Sequence, residues 1–579
     1  MTESLVIAIA QLNATVGDIA GNAALVRKAR KEAAAAKADL VVFSELFMSG
    51  YPPEDLVLKP AFQDACETEV SALAAETANG GPAVLVGTPW RAEGKLYNAA
   101  MLLEGGKIAA QRFKHDLPNY GVFDEKRVFA QGPLPGPIMF RGARLGVMVC
   151  EDMWYPDVTE CLGETGTELL LVINGSPFEL DKFDERLNLA VARVVETDCP
   201  LIYVNQVGGQ DELVFDGASF VLGADRSLRA QAPSWRESLL VTRWTREDDD
   251  EPWVCEDAER SKPPEGTDAI YRALVLGLRD YVDKNRFPGV IIGLSGGIDS
   301  ALTAAVAVDA LGADRVRCVM MPSPFTSKDS LEDAAEVARL LGIRLETISI
   351  EPAMRSFTEM TAPLFKGKPA DTTEENLQSR IRGVTLMALS NKFGSLVLST
   401  GNKSEMSTGY ATLYGDMCGG YAVLKDVYKT TVFALSRGRN AEKPEGALGP
   451  KGPVMPDRAL SKAPTAELKA NQKDQDTLPP YDKLDEILRC LIEDELSSAE
   501  VVKRGHDPAV VRQVWDMLYR AEYKRRQAPP GVKITRRAFG KDRRYPITNG
   551  FRPPAQGAAP RGPLLQAPMP GKSWDSDVS

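Results

Sequence analysis

At 579 residues the chain is longer than the roughly 250–300 residues that one hydrophobic core supports, so we expect at least two domains. Its 44% hydrophobic and 26% charged residues are typical of globular proteins, and no apolar run reaches the roughly 18 residues of a membrane span. The net charge of −11 argues against non-specific binding to nucleic acid or to an acidic membrane, so local cations must hold any anionic substrate.

The cysteines and the first residues indicate a cellular compartment. Eight cysteines form no CxxC pair, and the start, MTESLVIAIAQL, has no basic segment of an export signal. We therefore expect reduced thiols and a cytoplasmic location. Only two histidines, His115 and His506, are present, which restricts catalytic schemes that need an imidazole.

The first 245 residues alternate between apolar, strand-like runs and helical segments. An acidic, proline-bearing stretch without periodicity, 246–268, follows them and is predicted to be a linker. The predicted strands are 5–12, 39–45, 83–87, 145–150, 169–174 and 200–205, and the predicted helices are 22–37 and 184–197.

The same alternation resumes in a second predicted domain, residues 269–550. It favours a parallel sheet wrapped by helices, with ligands at the carboxyl ends of the strands. Residues 438–478 have little periodicity and are predicted to be a mobile insertion, and the Pro-, Ala- and Gly-rich tail 551–579 is predicted to be disordered. The predicted strands are 289–294, 316–321, 344–350 and 395–400, and the predicted helices are 299–311, 328–341 and 375–393.

Three reactive side chains in the first half stand out by their positions. Cys150 and Glu45 each end a predicted strand, and Lys114 lies among aromatic residues in QRFKHDLPNY. Taken singly, the cysteine is explained as a small core residue and each charge as a solvated surface group. Together they predict a centre in which Lys114 favours the thiolate and later holds an oxyanion, while Glu45 transfers protons. His115 is a competing base, although adjacent residues usually point in different directions.

The stretches FSELFMSGYPPED, FKHDLPNYGVFDEKRVF and VMVCEDMWYP, in this order and spacing, resemble the nitrilase superfamily of amidases. The resemblance covers about residues 4–245 and implies an α-β-β-α sandwich and a thioester intermediate. The implied roles are nucleophile for Cys150, proton acceptor for Glu45 and transition-state stabiliser for Lys114.

The same resemblance implies further residues around the reactive centre. Glu125 matches an additional acidic residue that orients the centre in this superfamily. The glutaminase branch implies contacts with glutamine at Tyr120, Ser176 and Lys182.

A second constellation, GLSGGIDS, lies between a predicted strand and a predicted helix. Its amides can converge on an anion at the helix N-terminus, and its serine hydroxyls can donate hydrogen bonds. Asp299 would repel phosphate unless a divalent cation bridged them, so we predict Mg²⁺. An ordinary tight turn explains such a loop equally well. The predicted nucleotide contacts are Gly293, Leu294, Ser295, Gly296, Gly297, Ile298, Asp299 and Ser300.

The pattern SGGxDS resembles the pyrophosphate loop of the ATP pyrophosphatases, which implies a Rossmann-like parallel sheet and transfer of AMP from ATP to an acceptor. The stretches EENLQSRIRGVTLMALSNKFGSLVLSTGNKSE and AEYKRRQAPPG are similar to the NAD⁺ synthetases, over about residues 265–550. This similarity implies that Thr400 contacts ATP and that Asn376, Glu405 and Lys524 contact deamido-NAD⁺. It also makes Glu405 a metal ligand beside Asp299.

The two halves in one chain resemble the glutamine-dependent NAD⁺ synthetases. The resemblance implies that glutamine hydrolysis at Cys150 supplies ammonia, which converts adenylated deamido-NAD⁺ to NAD⁺. An internal ammonia route of this kind is often partly built by neighbouring subunits, so a homo-oligomer is expected. Two alternatives stay open: an amidase joined to a different adenylating ligase, and a half that has lost catalysis and serves as a regulatory binding module. The complete set of reactive residues argues against the second.

Overall fold

A computed structural model describes residues 3–248, 251–470 and 472–551. The predicted tail, 551–579, lies outside the described residues except for Phe551. In the first half the elements are β1 (Glu3–Gln11), α1 (Ile19–Ala35), β2 (Leu40–Phe43), α2 (Pro60–Glu76), β3 (Ala83–Ala92), β4 (Lys95–Glu104), β5 (Lys107–Phe113), β6 (Ile138–Phe140), β7 (Ala143–Val149), α3 (Pro156–Glu164), β8 (Leu169–Asn174), α4 (Lys182–Thr197), β9 (Leu201–Asn205), β10 (Val207–Gln210), β11 (Leu213–Asp216), β12 (Phe220–Leu222), β13 (Leu228–Gln231), β14 (Ser238–Arg246) and β15 (Val254–Cys255).

Two sheets face each other in the first half. One has the strand order β15-β14-β1-β2-β3-β4-β5, and the other has the order β13-β12-β9-β8-β7-β6. Strands β1 to β3 run parallel, as do β7 to β9, and the remaining pairs are antiparallel. Strands β10 and β11 form a separate hairpin.

Side-chain alternation along the strands produces four layers. In β1, Ile7 and Ile9 enter the core between the two sheets, whereas Ala8 and Ala10 pack in the outer core with α1 and α2. On the other side, α3 and α4 cover the outer face of the second sheet. The order helix, sheet, sheet, helix confirms the predicted α-β-β-α sandwich.

The second half contains one parallel sheet with the strand order β18-β17-β16-β19-β20. Helices flank it, which confirms the predicted Rossmann-like arrangement. Its elements are α5 (Gly266–Lys284), β16 (Val290–Gly293), α6 (Ile298–Leu311), β17 (Val316–Met320), α7 (Lys328–Leu341), β18 (Arg344–Thr347), α8 (Glu351–Phe365), α9 (Thr372–Phe393), β19 (Leu396–Ser399), α10 (Lys403–Thr408), β20 (Tyr421–Ala422), α11 (Lys429–Ala441), α12 (Asp457–Ser461), α13 (Tyr481–Ile492), α14 (Ser498–Lys503), α15 (Pro508–Arg520) and α16 (Glu522–Arg525).

Helix α5 joins the two halves. It packs against α6 and against the β10–β11 hairpin, and Val207 and Val214 of that hairpin belong to the same buried cluster as the α5 and α6 core. A Cβ on Gly277 of α5 would lie 2.9 Å from Val214, so the helix needs a glycine where it meets the hairpin. The hydrophobic core of the second half therefore extends over the β10–β11 hairpin of the first.

Polar contacts reinforce this junction. Asp280 of α5 accepts hydrogen bonds from the Asn13 side chain and the Gly209 amide, both at 2.7 Å. Lys284 donates to Asn13 Oδ1 at 2.8 Å and to the Gly209 carbonyl at 2.9 Å. Because these groups are largely withdrawn from water, their pairing fixes how the halves sit on one another.

Several elements are additional to the predicted ones. The hairpin of β3 and β4 turns through Glu93 and Gly94, both with positive φ, which is typical of a two-residue loop. Helix α8 begins at Glu351, directly after a region predicted to be strand up to residue 350. Within the predicted linker 246–268 lies β15, and within the predicted insertion 438–478 lies α12. The domain boundaries and the mobility of the insertion stay predictions. Among the described residues, no helix combines the length and apolarity needed to cross a membrane.

Candidate active sites

Lys114 lies at the centre of a buried, charged cluster in the first half. Its Nζ is 2.7 Å from Glu45 Oε1 and 2.9 Å from a carboxylate oxygen of Glu125. Lys114 and Glu45 are fully buried, and Glu125 is 6% exposed. Burial opposes the ammonium form, but Glu125 and Glu45 outweigh it and raise the pKa of Lys114. The lysine is therefore a fixed positive charge between two carboxyl groups.

Neighbouring polar groups hold these carboxyl groups in place. Asn98 Nδ2 and the Gly175 amide each donate to Glu45 at 2.8 Å, and the Tyr51 hydroxyl donates to Glu125 at 3.1 Å. A Cβ on Gly175 would lie 2.8 Å from the Tyr51 ring and 3.1 Å from Glu45 Oε2, so only glycine fits there. Asn98 lies inside β4 with no motif around it, and the sequence gives no signal for its role.

Cys150 comes directly after β7 and begins a 3₁₀ turn. Its φ is 48°, in the left-handed region that non-glycine residues rarely adopt, as is common at functional positions. Burial and then Glu45 raise the pKa of the thiol, and Lys114 only partly offsets them. Lys114 lowers the pKa of the Cys150 thiol, as predicted, but the other two effects are larger and Cys150 is a thiol at rest. A base must therefore take the thiol proton when the sulfur attacks a substrate.

The turn that carries Cys150 is tied to the segment that carries Lys114. Asp152 Oδ1 accepts from the amides of His115 at 2.9 Å and Asp116 at 2.8 Å. The His115 ring lies 2.8 Å from the Gly132 carbonyl, so it is held outside the Lys114 cluster. The competing base considered from the sequence is thus engaged elsewhere, whereas the carboxyl group of Glu45 lies within the cluster.

Tyr120 and Lys182, both predicted to contact glutamine, lie beside the turn that carries Cys150. The Tyr120 hydroxyl donates to the Glu151 carboxylate at 3.0 Å. Lys182, the first residue of α4, has its Nζ 5.8 Å from the centre of the Phe123 ring and 5.9 Å from that of Trp154. Burial lowers the pKa of Lys182. Glu151 is a site residue that the sequence did not single out.

Ser176, the third predicted glutamine contact, is buried and already hydrogen-bonded. Its Oγ accepts from Arg186 Nε at 3.0 Å, and Arg186 forms a buried ion pair with Asp216 at 2.8 Å. Its amide donates to Asn205 Oδ1 at 3.0 Å. These contacts fix the backbone of the loop between β8 and α4, which carries Ser176 and leads to Lys182.

The second site is a cavity of about 620 Å³ at the carboxyl ends of β16, β17 and β19. Every predicted nucleotide and dinucleotide residue lines it. These residues are Gly293, Leu294, Ser295, Gly296, Gly297, Ile298, Asp299, Ser300, Asn376, Thr400, Glu405 and Lys524.

The serines of the loop before α6 form hydrogen bonds within the loop and fix its shape. Ser295 Oγ accepts from the Gly297 amide at 3.2 Å and lies 3.1 Å from Ser300 Oγ. Gly296 has a φ of 81°, and a Cβ there would lie 2.2 Å from the Ser330 carbonyl. Glycine is therefore required by both conformation and space, as in a loop that lets its backbone approach a phosphate.

Two carboxylates and a lysine meet below this loop. Lys429, the first residue of α11, forms an ion pair with Asp299 and lies 3.5 Å from Glu405 Oε1. Asn402 Nδ2 donates to Asp299 Oδ1 at 2.9 Å. Burial, partly offset by Lys429, raises the pKa of Glu405 to about 8. The sequence did not single out Lys429, which follows no recognised motif.

The remaining predicted dinucleotide contacts are engaged in local hydrogen bonds. Asn376 on α9 accepts from the Thr412 hydroxyl at 2.8 Å. Lys524 on α16 donates to the carbonyls of Gly409 at 2.8 Å and Ala411 at 2.6 Å. Both residues therefore contact the 409–412 segment, and both line the cavity.

Part of the predicted insertion 438–478 also lines the cavity. Glu467 accepts from the hydroxyls of Ser327 at 2.7 Å and Ser330 at 2.8 Å, and Lys462 lies 3.4 Å from the same carboxylate. The Ser330 carbonyl lies next to Gly296 of the glycine-rich loop. The insertion therefore places Lys462 near this loop, which contains no lysine of its own. The described part of this segment contains the end of α11, the short helix α12 and a 3₁₀ turn at Asp474–Asp476, which agrees with its low periodicity.

Comparison with known proteins agrees with this division of the chain. A model of carbon-nitrogen hydrolases matches residues 6–248, and a model of NAD synthases matches residues 270–528. The first region contains the Lys114 cluster and the second contains the cavity.

Whole-length relatives join the same two regions. The chain is 48% identical to a glutamine-dependent NAD(+) synthetase of Rhodobacter capsulatus, over 95% of this chain and 100% of the relative. It is 44% identical to one of Acinetobacter baylyi, over 95% and 99%. A solved glutamine-dependent NAD⁺ synthetase of Acinetobacter baumannii, in complex with ADP, aligns with a TM-score of 0.75 and 43% identity, covering 95% of this chain and 99% of that one. The chain therefore belongs to the glutamine-dependent NAD⁺ synthetases.

Proposed function

We propose that the chain converts deamido-NAD⁺ to NAD⁺ with ATP and glutamine, and that the assigned residues divide this work between two sites. Family membership across both halves supports the overall reaction. The single observation that carries the residue assignment is the buried Glu45–Lys114–Glu125 cluster, joined to the turn that carries Cys150. The products would be NAD⁺, glutamate, AMP and pyrophosphate.

In the first site, Glu45 accepts the thiol proton as Cys150 attacks the glutamine amide carbon. The fixed ammonium of Lys114 stabilises the oxyanion of the tetrahedral intermediate. Ammonia leaves with a proton returned from Glu45, and a thioester remains. Water activated by Glu45 then releases glutamate. Glu125 keeps Lys114 in place through both steps, because its carboxylate is 2.9 Å from the lysine.

In the second site, the glycine-rich loop holds the β- and γ-phosphates of ATP while the deamido-NAD⁺ carboxylate attacks the α-phosphorus. Pyrophosphate leaves, and an acyl adenylate forms. Lys429 and Lys462 supply positive charge near the phosphates, and Thr400 contacts the nucleotide. Asn376, Glu405 and Lys524 bind the dinucleotide. Ammonia from the first site then displaces AMP to give the carboxamide.

The donor set also fits Mg²⁺. Asp299 and Glu405 offer carboxylate oxygens, and both carboxylates lie next to Lys429. Magnesium is usually held by one or two carboxylates, and its coordination is completed by phosphate oxygens and water. When bound, the ion would neutralise phosphate charge. Asp299 and Glu405 would hold it, and Lys429 would then turn to the phosphates.

Two further parts of the proposal concern assembly and compartment. No residue of α8 is buried, and Met360 and Leu364 on it are 70% and 82% exposed, which supports a homo-oligomer that covers this face. Light scattering of the intact chain measures this directly. All eight cysteines are free thiols, which supports the cytoplasm as the site of the reaction.

The proposal is tested by two variants assayed with either nitrogen source. Cys150→Ala should abolish glutamine-driven synthesis and retain ammonia-driven synthesis. Asp299→Ala should abolish NAD⁺ formation from both. Loss of both activities in Cys150→Ala, or ammonia-driven synthesis in Asp299→Ala, would mean that the division of labour is assigned wrongly. AMP release that depends on deamido-NAD⁺ among several acids separates this reaction from that of a different adenylating ligase.

A further inference from the structure

Asn98 lies in the middle of the charged cluster of the first half. It is fully buried on β4. Its side-chain nitrogen donates to Glu45 Oε1 at 2.8 Å and, at the longer distance of 3.4 Å, to Glu125 Oε2. Its backbone carbonyl accepts from the Lys114 amide at 2.8 Å. One neutral residue therefore contacts both carboxyl groups and also the chain segment that carries the lysine.

The side-chain oxygen of Asn98 is buried and has no hydrogen-bond partner among the described residues. An unpaired buried acceptor destabilises a fold, so its presence requires an explanation. Turning the amide over is not an alternative, because its oxygen would then face the oxygens of two carboxyl groups. The nitrogen must point into the cluster, and its contacts there must compensate for the oxygen that is left unpaired.

The cluster has an excess negative charge when both of its carboxyl groups are ionised. Glu45 and Glu125 share Lys114, at 2.7 and 2.9 Å. In a buried site, such an excess favours the uptake of a proton by one of the carboxyl groups. Burial raises the pKa of Glu125, Lys114 opposes this rise and Glu45 adds to it, and the resulting pKa is about 7. The hydrogen bond from Asn98 is among the effects that lower the pKa of Glu125.

The other neutral contact of Glu125 does not select its ionised form. The Tyr51 hydroxyl, 3.1 Å away, can donate or accept a hydrogen bond, so it suits a carboxylate and a carboxylic acid alike. The Asn98 nitrogen carries two hydrogens and can only donate. Within the described parts of the chain, it is thus the one neutral side-chain group at Glu125 that favours the anion. The ionisable side chains that face Glu125 are Lys114, Glu45, Tyr51 and Cys150.

We propose that Asn98 is a positioning residue that keeps Glu45 and Glu125 ionised together, so that Glu45 is ready to accept the Cys150 proton at neutral pH. The proposal rests on the proposed glutaminase function and deepens it. Each carboxylate receives one hydrogen of the Asn98 amide, which compensates for the lysine that they share. Without this donor, one carboxyl group would keep a proton at neutral pH. The cluster would then lack its base or hold Lys114 less tightly.

Two substitutions remove the donor in different ways. Asn98→Leu introduces an apolar group of similar volume, whereas Asn98→Asp keeps the shape and adds a third carboxyl group. The measurement is kcat/KM for glutamine hydrolysis across the pH range.

In Asn98→Leu, the acid limb of kcat/KM should move upward by about one pH unit, because loss of a donor to an anion favours the protonated form. Well above that pH, kcat/KM should return to within about fivefold of the wild-type value. In Asn98→Asp the limb should move further, because like charges repel. If only one of the two variants folds, the position of its limb decides.

Thr88→Val is the matched control. Thr88 is also fully buried, on the adjacent strand β3, and its hydroxyl donates to the Pro89 carbonyl at 3.2 Å and to no group of the cluster. This variant should keep the wild-type pH profile. Ammonia-driven synthesis reports whether the second half of each variant is folded. If kcat/KM of the Asn98 variants falls equally at every pH and the limb does not move, Asn98 has a structural role alone and the proposal is wrong.

Alkylation of Cys150 by iodoacetamide distinguishes a failure of this proposal from a failure of the proposed function. A base must take the thiol proton whichever electrophile the sulfur attacks. The alkylation rate should therefore have the same acid limb, displaced in the same way in Asn98→Leu, with Cys150→Ala giving the background from the other thiols. If the wild type hydrolyses no glutamine, the proposed function fails, and the alkylation profile still tests Asn98. An unmoved limb in that profile would overturn the proposal.

Discussion

Lys533 of the second half lies 2.9 Å from Glu179 of the first, and Glu179 lies 3.8 Å from Lys182. Lys533 is buried, and its backbone amide donates to the Glu212 carbonyl at 2.8 Å. Next to it, Ile534 accepts from the Leu180 amide at 3.0 Å. The extended segment around Lys533 thus contacts the loop that leads to Lys182, a predicted glutamine contact.

The same segment reaches the second site. Asp426 accepts from the amides of Ile534 and Thr535 at 2.7 Å, and it pairs with Lys403 at 2.8 Å. Lys403 adjoins Asn402, whose side chain donates to Asp299. A series of contacts therefore runs from the loop before Lys182 to Asp299, along which a change at one site could reach the other.

Lys533→Met should weaken the link between the two reactions. Removing Lys533 leaves Glu179 with Lys182 alone, 3.8 Å away, takes the partner from Asp542, and loosens the loop before Lys182. We expect glutamine-driven synthesis to fall about 10-fold or more, with ammonia-driven synthesis within about threefold of the wild type. Lys328→Met, at a side chain that is 88% exposed, is the control for the charge change. Equal loss with both nitrogen sources would contradict a role in coupling.

Gly175→Ala should damage the first site alone. The added Cβ would lie 2.8 Å from the Tyr51 ring and 3.1 Å from Glu45, so one of them must move. Such overpacking costs roughly 1–3 kcal/mol, and displacement of the base should lower glutamine hydrolysis about 100-fold. The measurement is glutamate release together with thermal unfolding.

Gly136→Ala is a matched control for this substitution, because a Cβ there meets nothing within 4 Å. It should retain both activities. Full glutaminase activity in Gly175→Ala would show that Glu45 does not need its present position.

The pH dependence of glutamine hydrolysis should reflect Glu125. Burial, with Lys114 opposing it and Glu45 adding to it, raises the pKa of Glu125 to about 7. The group is a carboxylate above that pH and gains a proton as the pH falls through it. Lys114 then loses one of its two anionic partners, so kcat/KM should fall on the acid side of about pH 7.

Glu125→Gln should lower the rate at alkaline pH by about 10- to 100-fold and remove this acid limb. Glutamate release measured across the pH range, beside Glu104→Gln as a surface control, checks both parts. An unchanged limb in Glu125→Gln would assign the titration to another group.

The fold was predictable from the sequence, and candidate site residues could be named, because both coincide with strong local patterns. Cys150 and Glu45 follow apolar strands, and the loop before α6 has glycines where backbone conformation and close packing demand them. These patterns identify strand ends, and parallel strands bring their ends together. The resemblance to known families then added roles that spacing alone does not provide. Relatives that span both halves disfavour an amidase joined to a different ligase.

Other site residues could not be predicted, because tertiary contacts alone give them a role. Asn98 is an ordinary strand residue until β4 places it 2.8 Å from Glu45. Lys429 and Lys462 reach the cavity from segments far along the chain. Helix α8 was missed because a short apolar run before it has the composition of a strand. Hydrophobic periodicity indicates which face of a helix or strand is buried. It does not indicate which other elements pack against that face.

The core that α5 shares with the β10–β11 hairpin limits how the gene could be divided. Cutting between the halves would leave α5 on one fragment and Val207 and Val214 on the other. The two valines would then be exposed to solvent, because they pack in the same buried cluster as α5. Each fragment would expose an apolar surface and would tend to aggregate. An excised amidase made from this sequence would therefore need a redesigned, polar hairpin before it could be handled as an independent enzyme.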